Sequence, residues 1–283
     1  MAAKRGFIWV LRQFITRYFS EGVPQASAEL SYFLLFSFCP ILMFVTSVLA
    51  RINLSDESIS TFTQFLPASV QSVIHGYMDY LATQPTISPM MIGTVLTIYF
   101  LSRAVRSLMR TINEIYRVRG RTGTLYQVIL SVAFTCGFLL TIIGTLALVV
   151  FGRTALRVLR QWFPISEVIM RAFASASLPL AMGIVFLFVL LVNRLMPNLK
   201  LSCRQVLPGA CFSFVSWIVI SVAFSFYVDN IARYSLLYGS LGTIIVLMLW
   251  LYMTSTTLLL GPVLNHILLM RKMDHNHRSS NPR

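Results

Sequence analysis

Six apolar stretches set the problem that this chain has to solve. They run approximately over residues 29–50, 88–109, 124–151, 173–195, 206–228 and 241–270. Crossing a bilayer takes about 20 residues of helix, and each stretch supplies a candidate of that size. Such runs predict an all-α polytopic membrane bundle with six transmembrane helices.

The rest of the composition agrees. The chain has 283 residues, of which 57% are hydrophobic and 11% charged. An ordinary soluble domain carries about 25% charged residues. This chain has too little charge to cover a water-facing surface, and a solvent of lipid removes that need. No long polar segment interrupts it. The sequence predicts one integral membrane domain over 1–270 and a polar tail over 271–283.

The net charge is +14, from 20 arginines and 3 lysines against 9 carboxylates. In a soluble protein that excess points to nucleic acid. In a membrane protein it points to basic loops kept in the cytoplasm and to anionic lipid headgroups, with no nucleic-acid partner. With a cytoplasmic start, the inner segments hold 17 Lys and Arg residues and the outer loops hold 6. That bias predicts an N-in, C-in topology. The second stretch is the weakest, since only Met90–Ser102 is cleanly apolar and Arg103 and Arg106 fall in its last turns. Removing it would invert every later loop, which argues for keeping it. The sixth stretch is longer than a bilayer needs, and Gly261-Pro262 supplies a break point.

Other segments read as surface elements. Residues 5–19, RGFIWVLRQFITRYF, repeat apolar positions at helical spacing with arginines between, which predicts an interfacial amphipathic helix. Short helices capping the outer face are expected in 51–87, where Val70, Val73, Ile74, Tyr77 and Leu81 form a helical stripe. In the second outer loop, Arg153, Arg157 and Arg160 share one helical face beside Leu156 and Trp162. That face suits the outer headgroup zone, or a docking site for an anionic headgroup or phosphate. Cys39, Cys136, Cys203 and Cys211 form no CxxC pair and read as small apolar residues.

Several motifs, in order, resemble one family. They are AELSYFLLFSFCPIL at 28–42, TINEIYRVRGR at 111–121 and MPNLKLSCRQVLPGA from 196. WIVISVAFSFYV, YGSLGTIIVLMLWLY and LLLGPVLN follow, ending at Asn265. The pattern resembles the YihY / virulence factor BrkB family of bacterial inner-membrane proteins over nearly the whole chain. The resemblance implies six spans in the bacterial cytoplasmic membrane. It implies no settled activity, because ribonuclease, virulence and transport labels have all been attached to the family. One departure is Val263, where the family often has an acidic residue; a role for that carboxylate does not carry over.

The chemistry available is narrow. Four histidines and nine carboxylates are present, with no HxHxDH or HExxH arrangement, nucleophile elbow, P-loop or GxGxxG. The sequence therefore predicts no enzyme, no metal and no cofactor. Ionisable residues within spans are costly and are functional candidates. Glu29 opens the first stretch; it suits a helix N-terminus, or pairs with Arg103 or Arg106 to gate a cytoplasmic opening. Asn113, Glu114, Tyr116, Asn193 and Arg194 read as solvated helix ends. Pro40, Pro179, Pro208 and Pro262 interrupt four spans, and Asn265 follows the last of them. Broken helices free backbone groups for a substrate, while simple kinks are the ordinary alternative. Tyr238, Gly239 and Gly242 form a turn into the sixth stretch that either packs tightly or offers amides to an anion. Ala133/Gly137 and Gly209/Ser213 have the spacing of helix-packing pairs. Transport or translocation of an envelope-related lipid or anion is the expected role. An envelope scaffold and, behind it, a ribonuclease are the alternatives.

Overall fold

The computed structural model describes residues 7–51, 88–118, 124–146, 148, 167–230 and 240–279. Seven α-helices occupy them: α1 Phe7–Ser20, α2 Val23–Arg51, α3 Ser88–Ile115, α4 Thr124–Leu146, α5 Glu167–Leu195, α6 Cys203–Asn230 and α7 Ser240–Ser279. No strand occurs among the described residues. Five segments are long and apolar enough to cross a membrane: Met91–Ile115, Leu125–Thr145, Ser175–Leu195, Cys203–Val228 and Ile244–Lys272. Their outward faces are apolar, with Val95 65%, Leu140 68% and Val222 66% exposed. An apolar surface of that extent belongs against lipid or a partner rather than water.

Buried hydroxyls on these helices mostly satisfy themselves. Thr111 donates to the Ser107 carbonyl, Thr141 to Gly137 and Thr256 to Tyr252, each four residues back. Back-bonding of this kind removes the cost of carrying a hydroxyl into an apolar medium.

Helix ends explain two boundaries. Gly22 has φ of 68° and closes α1, with its N–H donating to the Phe19 carbonyl. α2 then starts at Val23, with Pro24 in its first turn where no N–H is needed. Glu29 therefore lies well inside α2 rather than at its opening, and the N-terminal dipole reading does not apply to it. α3 ends in a Schellman cap: Val118 N–H donates to Asn113 O and Arg117 N–H to Glu114 O. Arg117 takes the left-handed position with φ of 56°, which costs a non-glycine residue about 1 kcal/mol or more.

The expected break in the last helix needs correction. Gly261-Pro262 does not break α7, which runs unbroken through Pro262 to Ser279. The helix therefore also takes in most of the stretch expected as a polar tail. Proline cannot donate to the Leu258 carbonyl four residues back, and the Ser213 hydroxyl of α6 sits beside this turn. It donates to Thr257 O at 2.7 Å and reaches Leu258 O at 3.5 Å. Pro40, Pro179 and Pro208 also lie inside continuous helices.

The chain packs as two compact units. Unit 1 comprises 1–35, 102–134 and 189–283, and unit 2 comprises 36–101 and 135–188. Unit 1 holds all of α1, α6 and α7, and α7 packs against both α6 and α1. Unit 2 is knitted by aromatic contacts, Phe36 with Phe100 and Phe138 with Phe188. Pro40 is buried in it.

Candidate functional site

Polar groups gather in two places in unit 1. The first is a seam where α6 meets α7. Gly209 and Gly261 face each other so closely that a Cβ on Gly209 would stand 2.3 Å from Gly261 O. A Cβ on Gly261 would stand 2.7 Å from Gly209 O and 2.4 Å from Ser213 Oγ. Glycine is required at both positions because no other residue lets the backbones approach. Asn265, wholly buried, fills the adjoining space. Its Oδ1 accepts from Gly209 N–H at 2.7 Å, and its Nδ2 donates to Val206 O at 3.1 Å and Asn193 Oδ1 at 3.2 Å. Asn193 donates in turn to Val189 O at 3.0 Å. Asn193 is also wholly buried, so the expectation of a solvated helix end is wrong for it.

The seam continues into a charged latch. His266 stacks on Tyr116 at 5.5 Å with the rings 12° apart. The His266 Nδ1 meets the Ile115 carbonyl, freed by the cap that ends α3, and lies 3.2 Å from Arg17 Nη1. The Tyr116 hydroxyl is buried and faces Asn265 without reaching hydrogen-bond geometry. Arg17 of α1 is 6% exposed, donates to Met270 Sδ at 2.9 Å and lies 3.7 Å from Glu21. Burial lowers the Arg17 pKa and the Glu21 carboxylate opposes that shift; a guanidinium stays charged throughout. Glu21 also takes Arg117 at 3.3 Å. This latch ties α1 and the end of α3 to α7.

The second place is a cavity of about 640 Å³. Arg103, Arg106, Ser107, Arg110, Asn113, Glu114 and Arg117 line it from α3 and its cap, joined by Glu29, Gln127 and Asn198. The spacing of Arg103, Arg106 and Arg110 puts three guanidinium groups on one helix face. Glu29 pairs with Arg110 at 2.6 Å, one turn beyond the partners expected from sequence. Arg103 stands 5.5 Å over the Phe33 ring, and Arg106 Nε donates to the Ser102 carbonyl. No carboxylate lies within ion-pair distance of either among the described residues. Asn113 is built in rather than solvated: its Nδ2 donates to Met109 O at 2.8 Å and its Oδ1 accepts from Asn198 N–H at 2.7 Å. Ser107 is 5% exposed and its hydroxyl has no hydrogen-bond partner.

The sequence candidates thus sort into groups. Glu29, Arg103, Arg106 and Asn113 come together at the cavity. Pro262 and Asn265 belong to the seam, and the Gly209/Ser213 pair packs there as its spacing predicts. Pro40 and Gly242 are buried in α2 and α7. Arg153, Arg157, Arg160, Tyr238 and Gly239 lie outside the described residues, as does 52–87 with its expected outer helices. Sequence reasoning missed Arg17, Glu21, Ser107 and Arg110, and passed over His266. A histidine in an apolar run was the available signal.

The comparisons with known proteins agree with this architecture. The family model described as virulence factor BrkB matches residues 14–283. The ribonuclease-like protein YfkH of Bacillus subtilis is 32% identical over 266 residues, covering 93% of this chain and 96% of that protein. UPF0761 membrane proteins of Xanthomonas campestris and Xanthomonas axonopodis are 26% identical over 266 residues. That match takes in 90% of this chain, which spans 58% of their length. No solved structure matches. A helical chain with five segments, among its described residues, long and apolar enough to cross a membrane, and matched by this model from Phe14 to Arg283, belongs to the virulence factor BrkB family of membrane proteins.

Proposed function

We propose that the protein moves an anion or an anionic envelope lipid across the bacterial cytoplasmic membrane, and that it is not an enzyme. The observation that carries this reading is the arginine-lined cavity beside a membrane-crossing helix. Three guanidinium groups stand exposed on one helix face, two of them without a carboxylate partner among the described residues, and such a run of positive charge is placed to receive an anion.

The topology belongs to the same proposal. α2, at 29 residues, is the sixth span. The 17-to-6 charge split favours both ends inside, which puts the cavity at the cytoplasmic face. α1 lies in the inner interface. Its Leu11, Ile15 and Phe19 form an exposed apolar stripe for lipid, Arg12 and Thr16 flank it toward headgroups, and Arg17 turns inward. The outer arginines 153, 157 and 160 are the complementary docking face.

Purified protein in liposomes tests the reading, with anion flux and scrambling of labelled lipid followed side by side. Either activity above that of protein-free liposomes supports it. Neither activity, from protein that melts cooperatively, leaves the scaffold reading.

A further inference from the structure

We propose that the α3 cavity binds a phosphate monoester group, held by Arg103, Arg106 and the Ser107 hydroxyl. The proposal rests on reading the cavity as the ligand's opening and names the chemistry that this opening selects.

Charge comes first. Four arginines and two glutamates line the cavity, which leaves it at +2. A phosphate monoester at neutral pH carries nearly two negative charges, so it matches that excess where a halide or a carboxylate does not. Size agrees: about 640 Å³ is the volume of a site for a multi-atom ligand rather than a monatomic ion.

Donor geometry is the second argument. Guanidinium forks present paired N–H groups that match the oxygens of a phosphate. Every cation in the lining is an arginine. Arg110 and Arg117 are engaged by Glu29 and Glu21, while Arg103 and Arg106 have no carboxylate partner among the described residues. The third argument is independent of charge. The Ser107 hydroxyl lies on the same face, buried and without a hydrogen-bond partner. A buried unpartnered donor is costly to leave unmade, and a phosphate oxygen satisfies it.

The lining also limits what enters. Met109 and Val118 are its apolar members, so the cavity takes a polar head and leaves any acyl chain outside. The phosphate therefore comes either from a soluble ester or from a lipid headgroup whose chains stay in the bilayer.

The test is equilibrium binding to the purified full chain. sn-Glycerol 3-phosphate is titrated in detergent, with chloride as the control anion. Phosphatidate is compared with phosphatidylcholine in nanodiscs. The soluble ester binding alone identifies a free metabolite; phosphatidate binding alone identifies a lipid head; either supports the proposal. Arg103→Gln and Arg106→Gln each weaken binding about tenfold, and Ser107→Ala weakens it by a smaller factor, all with an unchanged melting temperature. Glu29→Gln tightens binding, since it raises the cavity charge and frees Arg110. Binding of neither ester, or equal binding by wild type and arginine variants, or chloride binding as well as the esters, overturns the proposal. Binding without flux in liposomes would sink the transport reading and leave this one standing; flux without phosphate binding would do the reverse.

Discussion

The seam between α6 and α7 and the cavity on α3 are both polar, and they treat their polar groups in opposite ways. At the seam Asn265 and Asn193 are wholly buried and their amides are paired with backbone or with each other. Glycines bring the two backbones together, and the atoms nearest them are backbone, serine and asparagine atoms. At the cavity, guanidinium groups stand along one helix face, and two of them have no carboxylate partner among the described residues. A satisfied polar group in an apolar medium is glue between helices. An exposed run of positive charge that carboxylates only partly neutralise is open to an anion instead. The difference teaches which polar residues hold this bundle and which ones wait for a ligand.

Substitutions can break that contrast, and their expected effects on stability fall in order. Gly209→Leu or Gly261→Leu forces a side chain into backbone atoms less than 3 Å away. Overpacking this severe costs about 3 kcal/mol or more, so neither variant should give a monodisperse peak on size exclusion. A normal peak with a normal melting curve would show that the seam is looser than described. Asn265→Ala removes three hydrogen bonds at the seam. At about 0.6–1 kcal/mol for each in a membrane, the loss is roughly 2 kcal/mol, measurable as a lowered melting temperature in detergent.

Arg17→Ala acts on the latch. α1 loses its contacts to His266 and Met270 while the seam stays intact. Faster hydrogen exchange confined to residues 7–20 is the expected outcome; faster exchange across α6 and α7 would mean that latch and seam are one unit. Arg103→Gln and Arg106→Gln are each expected to change stability by no more than about 1 kcal/mol, because each loses a single exposed contact, the Phe33 ring for Arg103 and the Ser102 carbonyl for Arg106. Glu29→Gln is also small for folding, since its pair with Arg110 is largely exposed and such pairs contribute about 0–1 kcal/mol. A melting temperature strongly lowered by any of these three would move the cavity into the class of the seam.

Much of the helical framework was legible from the residues. Apolar length locates the cores of α3 to α7, because lipid leaves the chain little choice but helix. The packing role of Gly209 and Ser213 is equally legible from small residues four apart. The start of α2 was less so: Gln25, Ser27 and Glu29 mask a helix that Gly22 and Pro24 actually open. The proline break in α7 was over-read, because a proline is tolerated inside a membrane helix where a neighbouring helix brings polar groups to the turn, and here those come from Ser213, about fifty residues earlier. The site was half visible. Arg103 and Arg106 stand out as charges at the end of an apolar run, but Arg110 reads as ordinary loop charge until α3 is seen to extend to Ile115. Asn193 looks like a helix end in one dimension and is a core residue in three.

The most direct measurement compares initial transport rates in proteoliposomes for the wild type and the Arg103→Gln/Arg106→Gln double variant, reconstituted at equal density and with equal melting temperatures. Anion flux and lipid scrambling are both recorded. The account predicts wild-type activity in one of the two assays, reduced at least about tenfold in the double variant, the scale of one strong charge-assisted contact. Equal rates for the two proteins would contradict it, since the cavity would then have no part in what the protein moves.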